Sequence, residues 1–292
     1  MHTLAPAYLT PERLQHFIKE ALLEDIGPGD YSSLSAVPEK LERKAILKIK
    51  ESGVLAGVEL AKQIFATVDP KLVVQVLLED GVQVKAGDIG LVVFGPARSI
   101  LGAERLVLNC MQRMSGIATK TRAMANLIAH TKAKLLDTRK TAPNSRIIEK
   151  WGVAIGGGQN HRFALYDMIM LKDNHVDYAG GISQALDAAR NYVQKQNLNL
   201  RIEIETRNLI EVLEALAHGG ADVIMLDNFS VADMKIAVET IGGRVAVEAS
   251  GNVTEATIVP IAETGVDYIS VGALTHSYKS LDISLKADIS DL

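Results

Sequence analysis

Apolar residues after Thr10 fall at helical spacing: Leu14, Phe17, Ile18, Ala21 and Leu22 form one stripe. Thr10, Pro11 and Glu12 supply an N-cap, a proline at the first helical position and an early acid, so the pattern predicts an amphipathic first helix. Gly27, Pro28, Gly29 and Asp30 break it. Residues 44–50, 72–78 and 89–94 read as strands with a helix over 58–67, and Asp80-Gly81 and Ala86-Gly87-Asp88 supply tight turns. These elements imply a small α/β sandwich. From Ser99 a long helical pattern runs through Leu101, Leu106, Leu108, Cys110, Met111 and Met114, with Gly116 marking a break before a second helix to about Ala129.

After Lys132 the pattern changes to short strand, polar end, helix, repeated. The expected strands are 134–137, 153–156, 168–171, 201–205, 223–226, 245–248 and 268–271, with helices such as 182–194 and 209–217 between most of them. Alternating units of this kind imply a parallel sheet closed, or nearly closed, into a barrel. The expected domains are residues 1–115 for the sandwich and 116–273 for the barrel. The tail, 274–292, alternates apolar and polar residues and is expected to return and pair with the first domain.

With 292 residues, 48% of them hydrophobic, the chain has enough apolar material for one large or two moderate cores. A formal charge of −4 argues against a general nucleic-acid binder, which would carry a basic surplus. The single cysteine, Cys110, excludes an internal disulfide and sits among apolar neighbours as a core residue. No apolar run approaches the roughly 18 residues needed to span a bilayer, so the expectation is a cytoplasmic protein without a membrane partner.

Positive charge is concentrated instead between Asp137 and His175, where Arg139, Lys140, Arg146, His161, Arg162, Lys172 and His175 alternate with short apolar runs and glycines. Thr138, Arg139 and Lys140 directly follow one predicted strand, and Lys172 to His175 follow another. Strand carboxyl ends line ligand pockets in parallel barrels, so these cations form a candidate anion site or, more plainly, a solvated rim. Gly156, Gly157 and Gly158 before Asn160, His161 and Arg162 would offer backbone N–H groups to a phosphate or carboxylate. Acids end two other strands. Alternation places Glu203 and Glu205 on one face, and Asp227 closes the next strand. They are either charge partners of the cations or a Mg²⁺ site, since magnesium takes one or two carboxylates plus substrate oxygens and water. Ser250-Gly251 and Gly272-Ala273 end the last two strands, a common place for a phosphate.

The segments DTRKT, GGGQNHR, LYDMIMLKDNH, VEAS and YISVGALTHS, in this order and with EDIGPGD near the start, resemble the quinolinate phosphoribosyltransferase family over nearly the whole chain. The resemblance implies an incomplete parallel β/α barrel of about seven strands with an N-terminal α/β sandwich domain. It implies conversion of quinolinate and 5-phosphoribosyl-1-pyrophosphate to nicotinate mononucleotide, pyrophosphate and CO₂, a step toward NAD. Carried over residue by residue, it gives Lys140, Glu205 and Asp227 catalytic roles, the two acids holding Mg²⁺. Thr138, Arg139, His161, Arg162 and Lys172 would bind substrate, with Arg105 reaching in from a partner subunit. Ser250, Gly251, Gly272 and Ala273 would cradle the 5-phosphate. The implied assembly is a homodimer with a shared active site, with further association to a hexamer left open.

The chain departs from the family pattern at Asn252, where many members have glycine, and at Ala142 and Asn144, where threonine and glycine are common. Two other readings stand beside this one. Lys140 or Lys172, at strand ends, could serve a Schiff-base aldolase, and a non-catalytic, transport-associated relative could share the fold.

Overall fold

A computed structural model describes residues 6–288, which divide into two compact units. The first comprises Met1–Arg122, Thr141–Gly157 and Leu274–Leu292, the second Ala123–Lys140 and Gly158–Ala273. The boundary expected at 115/116 therefore differs from this division, which falls within a helix, and residues 141–157 group with the first unit. Residues 1–5 of the expected first domain and 289–292 of the tail lie outside the described residues.

In the first unit α1 (Pro11–Ile26) starts where the sequence predicts, with the Thr10 hydroxyl accepting the Arg13 N–H, and ends at Gly27, whose φ of 52° suits glycine. Asp30 caps α2 (Tyr31–Ala36) by accepting from Ser33. Strands β1 (Glu42–Ile49), β3 (Val73–Val76) and β5 (Ile89–Pro96) join the C-terminal strand Ile283–Ala287 in an antiparallel sheet, in the order C-terminal strand, β1, β5, β3. Strands β2 (Gly53–Val54) and β4 (Gln83–Val84) form a separate pair. Leu285, Leu47 and Leu91 lie opposite one another across three strands and are all buried, so the returning tail completes the sheet's apolar face. Helices α1, α3 (Val58–Val68), α4 (Ala97–Leu127) and α5 (Arg146–Gly156) contribute Ile18, Phe65, Met111 and Ile148 to the same core.

Two expectations are corrected in this unit. Helix α4 runs unbroken for 31 residues through Gly116. A Cβ at Gly116 would collide with the Lys279 carbonyl oxygen and come within 3.0 Å of the Ser280 Cα. The glycine therefore marks a close backbone approach inside a helix, not its end. The second correction concerns residues 153–156, which are the last turn of α5 and not a strand. Ile148, Gly152, Ile155 and Gly156 form a buried helical stripe, and a Cβ on Gly156 would lie 2.6 Å from the Ala118 oxygen of α4. Four apolar residues in a row satisfy either period, and close helix packing selects the helix.

The second unit is a six-stranded, wholly parallel sheet in the order β6 (Lys134–Leu136), β11 (Tyr268–Ser270), β10 (Ala246–Ser250), β9 (Val223–Asp227), β8 (Ile202–Thr206), β7 (Ile169–Leu171). The count is six where about seven was expected, because residues 153–156 are helical. A single parallel bridge from Leu136 to Gln159 adds one rung beyond β6, and β6 and β7 do not pair, so the barrel is incomplete. Helices α6 (Asp173–Ala179), α7 (Ile182–Lys195), α8 (Leu209–His218), α9 (Val231–Ile241) and α10 (Ile258–Ala262) link the strands.

The two faces of this sheet differ in chemistry. Ile202, Ile204, Ile224, Leu226, Val247, Ala249 and Ile269 make one face almost wholly apolar and buried, its Thr206 hydroxyl donating to the Met225 carbonyl, with α8 packed on β8 and α10 on β11. The register places Glu205, Met225, Glu248 and Tyr268 side by side on the opposite face, with Asp227 beside Ser250 two residues further along. Side chains alternate along a strand, so Glu203 shares that inner face. An interior carrying several carboxylates is a costly place to leave charge, so partners are required.

Candidate active site

Arg139 and Lys140 follow β6, Lys172 follows β7, and Glu205 and Asp227 stand at or near the carboxyl ends of β8 and β9, whereas His161 and Arg162 lie on the loop after the Leu136–Gln159 bridge and Glu203 near the start of β8. After β6, the wholly buried Asp137 accepts from the Asn160 side-chain amide at 2.7 Å and from the His161 backbone N–H at 2.8 Å. It thereby pins the segment that follows the glycines alongside β6. The Thr138 hydroxyl accepts the Lys140 N–H at 3.0 Å, a short side-chain turn that leaves Arg139 and Lys140 exposed at the strand tip. Asp167 accepts the N–H groups of Phe163 and Ala164 at 2.6 and 2.8 Å, shaping the loop after Arg162. After β7, the Lys172 N–H donates to His175 Nδ1 at 2.9 Å, which makes His175 a brace for the turn carrying Lys172.

The cations and acids meet. Lys172 Nζ lies 3.1 Å from Glu205 Oε2, although the lysine is about half exposed and the pair contributes at most about 1 kcal/mol to stability. Arg162 Nη1 donates to the Met168 carbonyl at 3.2 Å. Burial, and then the charge of nearby Arg139, weaken the proton affinity of Arg162. Asp227 is half-buried and accepts from the Asn228 side-chain amide at 2.7 Å. Gly251 has φ of 96°, and Ser250, Gly251, Gly272 and Ala273 are half-buried at the ends of β10 and β11. Arg105, by contrast, belongs to the first unit, exposed on α4.

Beneath this rim lies a cluster that pattern reading only half revealed. His161 Nε2 is 3.0 Å from Glu203 Oε2 and 3.4 Å from Glu248 Oε2, and all three side chains are almost fully buried. Burial disfavours an extra proton on His161, the two carboxylates favour it, and the carboxylates prevail, pushing the group up to about 9. The Arg162 backbone N–H points at Nδ1 from 2.7 Å, so that nitrogen serves as an acceptor. The additional proton of the cluster therefore belongs between Nε2 and the carboxyls, and burial pushes Glu203 up in the same sense. Oε1 of Glu203 and Oε1 of Glu248 are buried without a partner. Glu203 was legible from alternation; Glu248 and Asp137 were not singled out, because only the folded chain brings them to His161.

Three donors in the described residues approach one another closely enough for a metal, within 4.8 Å, and they are these same His161, Glu203 and Glu248. Their hydrogen bonds to one another already occupy the imidazole. Glu205 and Asp227 offer oxygen only, at the mouth of the sheet, which is the donor set a hard divalent cation takes.

A parallel, unclosed β/α barrel with converging arginines, lysine and carboxylates at its strand ends is the architecture of a barrel enzyme acting on anionic substrates. The particular family follows from comparison: residues 30–115 match the quinolinate phosphoribosyl transferase N-terminal domain and residues 117–286 its C-terminal domain, and the chain belongs to that family. It is similar to quinolinate phosphoribosyltransferase [decarboxylating] 1 of Nicotiana glauca, 48% identical over 97% of this chain and 84% of that protein. It is 40% identical to the probable nicotinate-nucleotide pyrophosphorylase [carboxylating] of Bacillus subtilis, over 96% of this chain and 95% of that one. Among solved structures, NadC from Streptococcus pyogenes superposes with a TM-score of 0.89 at 41% identity, covering 95% of this chain and 97% of the other. Family membership places the chain outside the Schiff-base aldolases.

Proposed function

We propose that the chain transfers the phosphoribosyl group of 5-phosphoribosyl-1-pyrophosphate to the ring nitrogen of quinolinate, releasing pyrophosphate and CO₂ and leaving nicotinate mononucleotide for NAD synthesis. The observation that carries this reading is the match of both family domains along one chain, together with the strand-end cations and carboxylates described above. A pyridine diacid needs several fixed positive groups. Arg139, Arg162 and Lys172 supply them from one subunit, and Arg105 of a partner subunit adds another in a homodimer with shared sites. His161 turns both ring nitrogens to protein partners, so it serves the site by bracing the backbone of Arg162.

Lys140, exposed at the tip after β6, is the cation proposed to meet the diphosphate. Backbone N–H groups at Ser250, Gly251, Gly272 and Ala273 would take the 5-phosphate. Glu205 and Asp227 would hold Mg²⁺, which when bound neutralises charge on the diphosphate. Breaking the ribose C1–oxygen bond sends its electron pair to pyrophosphate, and the ring-nitrogen lone pair forms the new bond to C1. The 2-carboxylate then leaves as CO₂, its bonding electron pair staying on ring C2 beside the quaternised nitrogen, and a proton from water closes C2–H. No protein nucleophile is needed; catalysis is positioning and electrostatic stabilisation.

Among the described residues no helix is long and apolar enough to cross a membrane. The lone, buried Cys110 suits a reducing compartment, and we place the protein in the cytoplasm. Formation of nicotinate mononucleotide from quinolinate, with nicotinate as control, tests the activity. Turnover of nicotinate alone, or of neither acid, overturns it.

A further inference from the structure

The ends of β9 and β10 are joined by a chain of side-chain amides. The Asn228 backbone N–H donates to the Ser250 carbonyl at 2.9 Å. The Asn228 side chain donates through Nδ2 to Asp227 Oδ2 at 2.7 Å and accepts at Oδ1 from Asn252 Nδ2 at 3.0 Å. Both asparagines hold left-handed backbone, with φ of 56° and 49°, and Gly251 between Ser250 and Asn252 has φ of 96°. Asparagine and glycine tolerate that region better than other residues. A Cβ on Gly251 would collide with Asn228 Oδ1 and stand 2.9 Å from its backbone nitrogen, so glycine is what lets this loop close over Asn228.

The polarity of the relay is fixed by its two ends. A carboxylate accepts only, so Asn228 must turn its NH₂ to Asp227, and its oxygen is then left facing the NH₂ of Asn252. Flipping either amide would set oxygen against oxygen or N–H against N–H. One oxygen of Asp227 is thus occupied by Asn228, the next residue, whose amide is in turn held by Asn252 on the loop that follows the next strand.

We propose that Asn228 and Asn252 are positioning residues that couple the phosphate-binding turn at Ser250 and Gly251 to the cation-binding carboxylate of Asp227. Seating an anion on the turn immobilises Asn252, which holds Asn228 and through it Asp227; a cation on Asp227 favours the turn in the same way, since coupling between two sites is reciprocal. This rests on the assignment of those two sites under Proposed function.

The test uses the full-length protein with Mn²⁺ as a paramagnetic probe and ribose 5-phosphate as the anion. Mn²⁺ affinity is measured by the loss of the free-ion EPR signal, with and without saturating ribose 5-phosphate. The wild type is expected to bind Mn²⁺ about fivefold more tightly in the presence of the sugar phosphate, the size of one net hydrogen bond. In Asn252→Gly, which fits the left-handed backbone, that ratio is expected to fall to near one with the thermal midpoint unchanged. A ratio as large in Asn252→Gly as in the wild type overturns the relay. Asp227→Asn provides the separate control: weakened Mn²⁺ binding there upholds the cation site, whereas unchanged binding removes that assignment and the relay with it.

Discussion

Glu205 and Asp227 stand on the same face of adjacent parallel strands: Glu205 lies opposite Met225, and Asp227 is two residues beyond Met225. That register brings two carboxylates from positions 22 residues apart to one end of the sheet, within reach of the ammonium of Lys172 on the Glu205 side. Their neutral isosteres are the direct probe. Glu205→Gln and Asp227→Asn are each expected to lower turnover by a factor on the order of a hundred or more, as loss of a preorganised electrostatic group does. The fold should persist, because both side chains sit at strand ends. Steady-state rates beside circular dichroism check both halves; near-normal turnover in either variant removes the metal role.

Arg105 is exposed on α4 and belongs to the first unit. If it serves the partner's site, Arg105→Ala and Lys172→Ala are each inactive alone. Mixed after dissociation and reassociation, they should regain about a quarter of wild-type activity, since half the dimers are hybrids with one intact site each. No recovery in the mixture would exclude a shared site.

The His161 cluster predicts a pH dependence of stability. With Nδ1 accepting from Arg162 the ring stays singly protonated, and the raised proton affinity belongs to the cluster as a whole, so folding takes up a proton there and stability falls as pH rises through about 9. Urea unfolding of the wild type and of His161→Gln should therefore differ most in acid and converge toward pH 9.5. A difference that grows with pH would show the sign to be wrong.

At Gly116 two effects oppose each other. Alanine gains about 1 kcal/mol of intrinsic helix propensity over glycine. The added methyl must displace the Lys279 backbone, which typically costs 1–3 kcal/mol or more in a packed core. Gly116→Ala is expected to be net destabilising in chemical unfolding. Stabilisation would mean the segment from Lys279 to Ser280 yields freely.

Much of this was present in one dimension. Thr10 caps its helix through a contact spanning three residues, and the β/α alternation after Lys132 follows from local period, so both were readable along the chain, whereas residues 27–30 read only as a break and the helix that Asp30 caps was not foreseen. The strand-end placement of Thr138–Lys140, Lys172, Glu205 and Asp227 was likewise readable, because strand ends are where an apolar run meets polar residues. Tertiary structure decided the rest. Residues 153–156 are too few to carry a period and became helix through glycine contacts with α4; Gly116 continues a helix because a distant carbonyl needs its missing side chain. The pairing of His161 with Glu203 and Glu248, and of Asn228 with Asn252, joins residues 24 to 87 positions apart. Local propensity acts over a turn or a strand, whereas those distances are set only when the sheet's register is fixed.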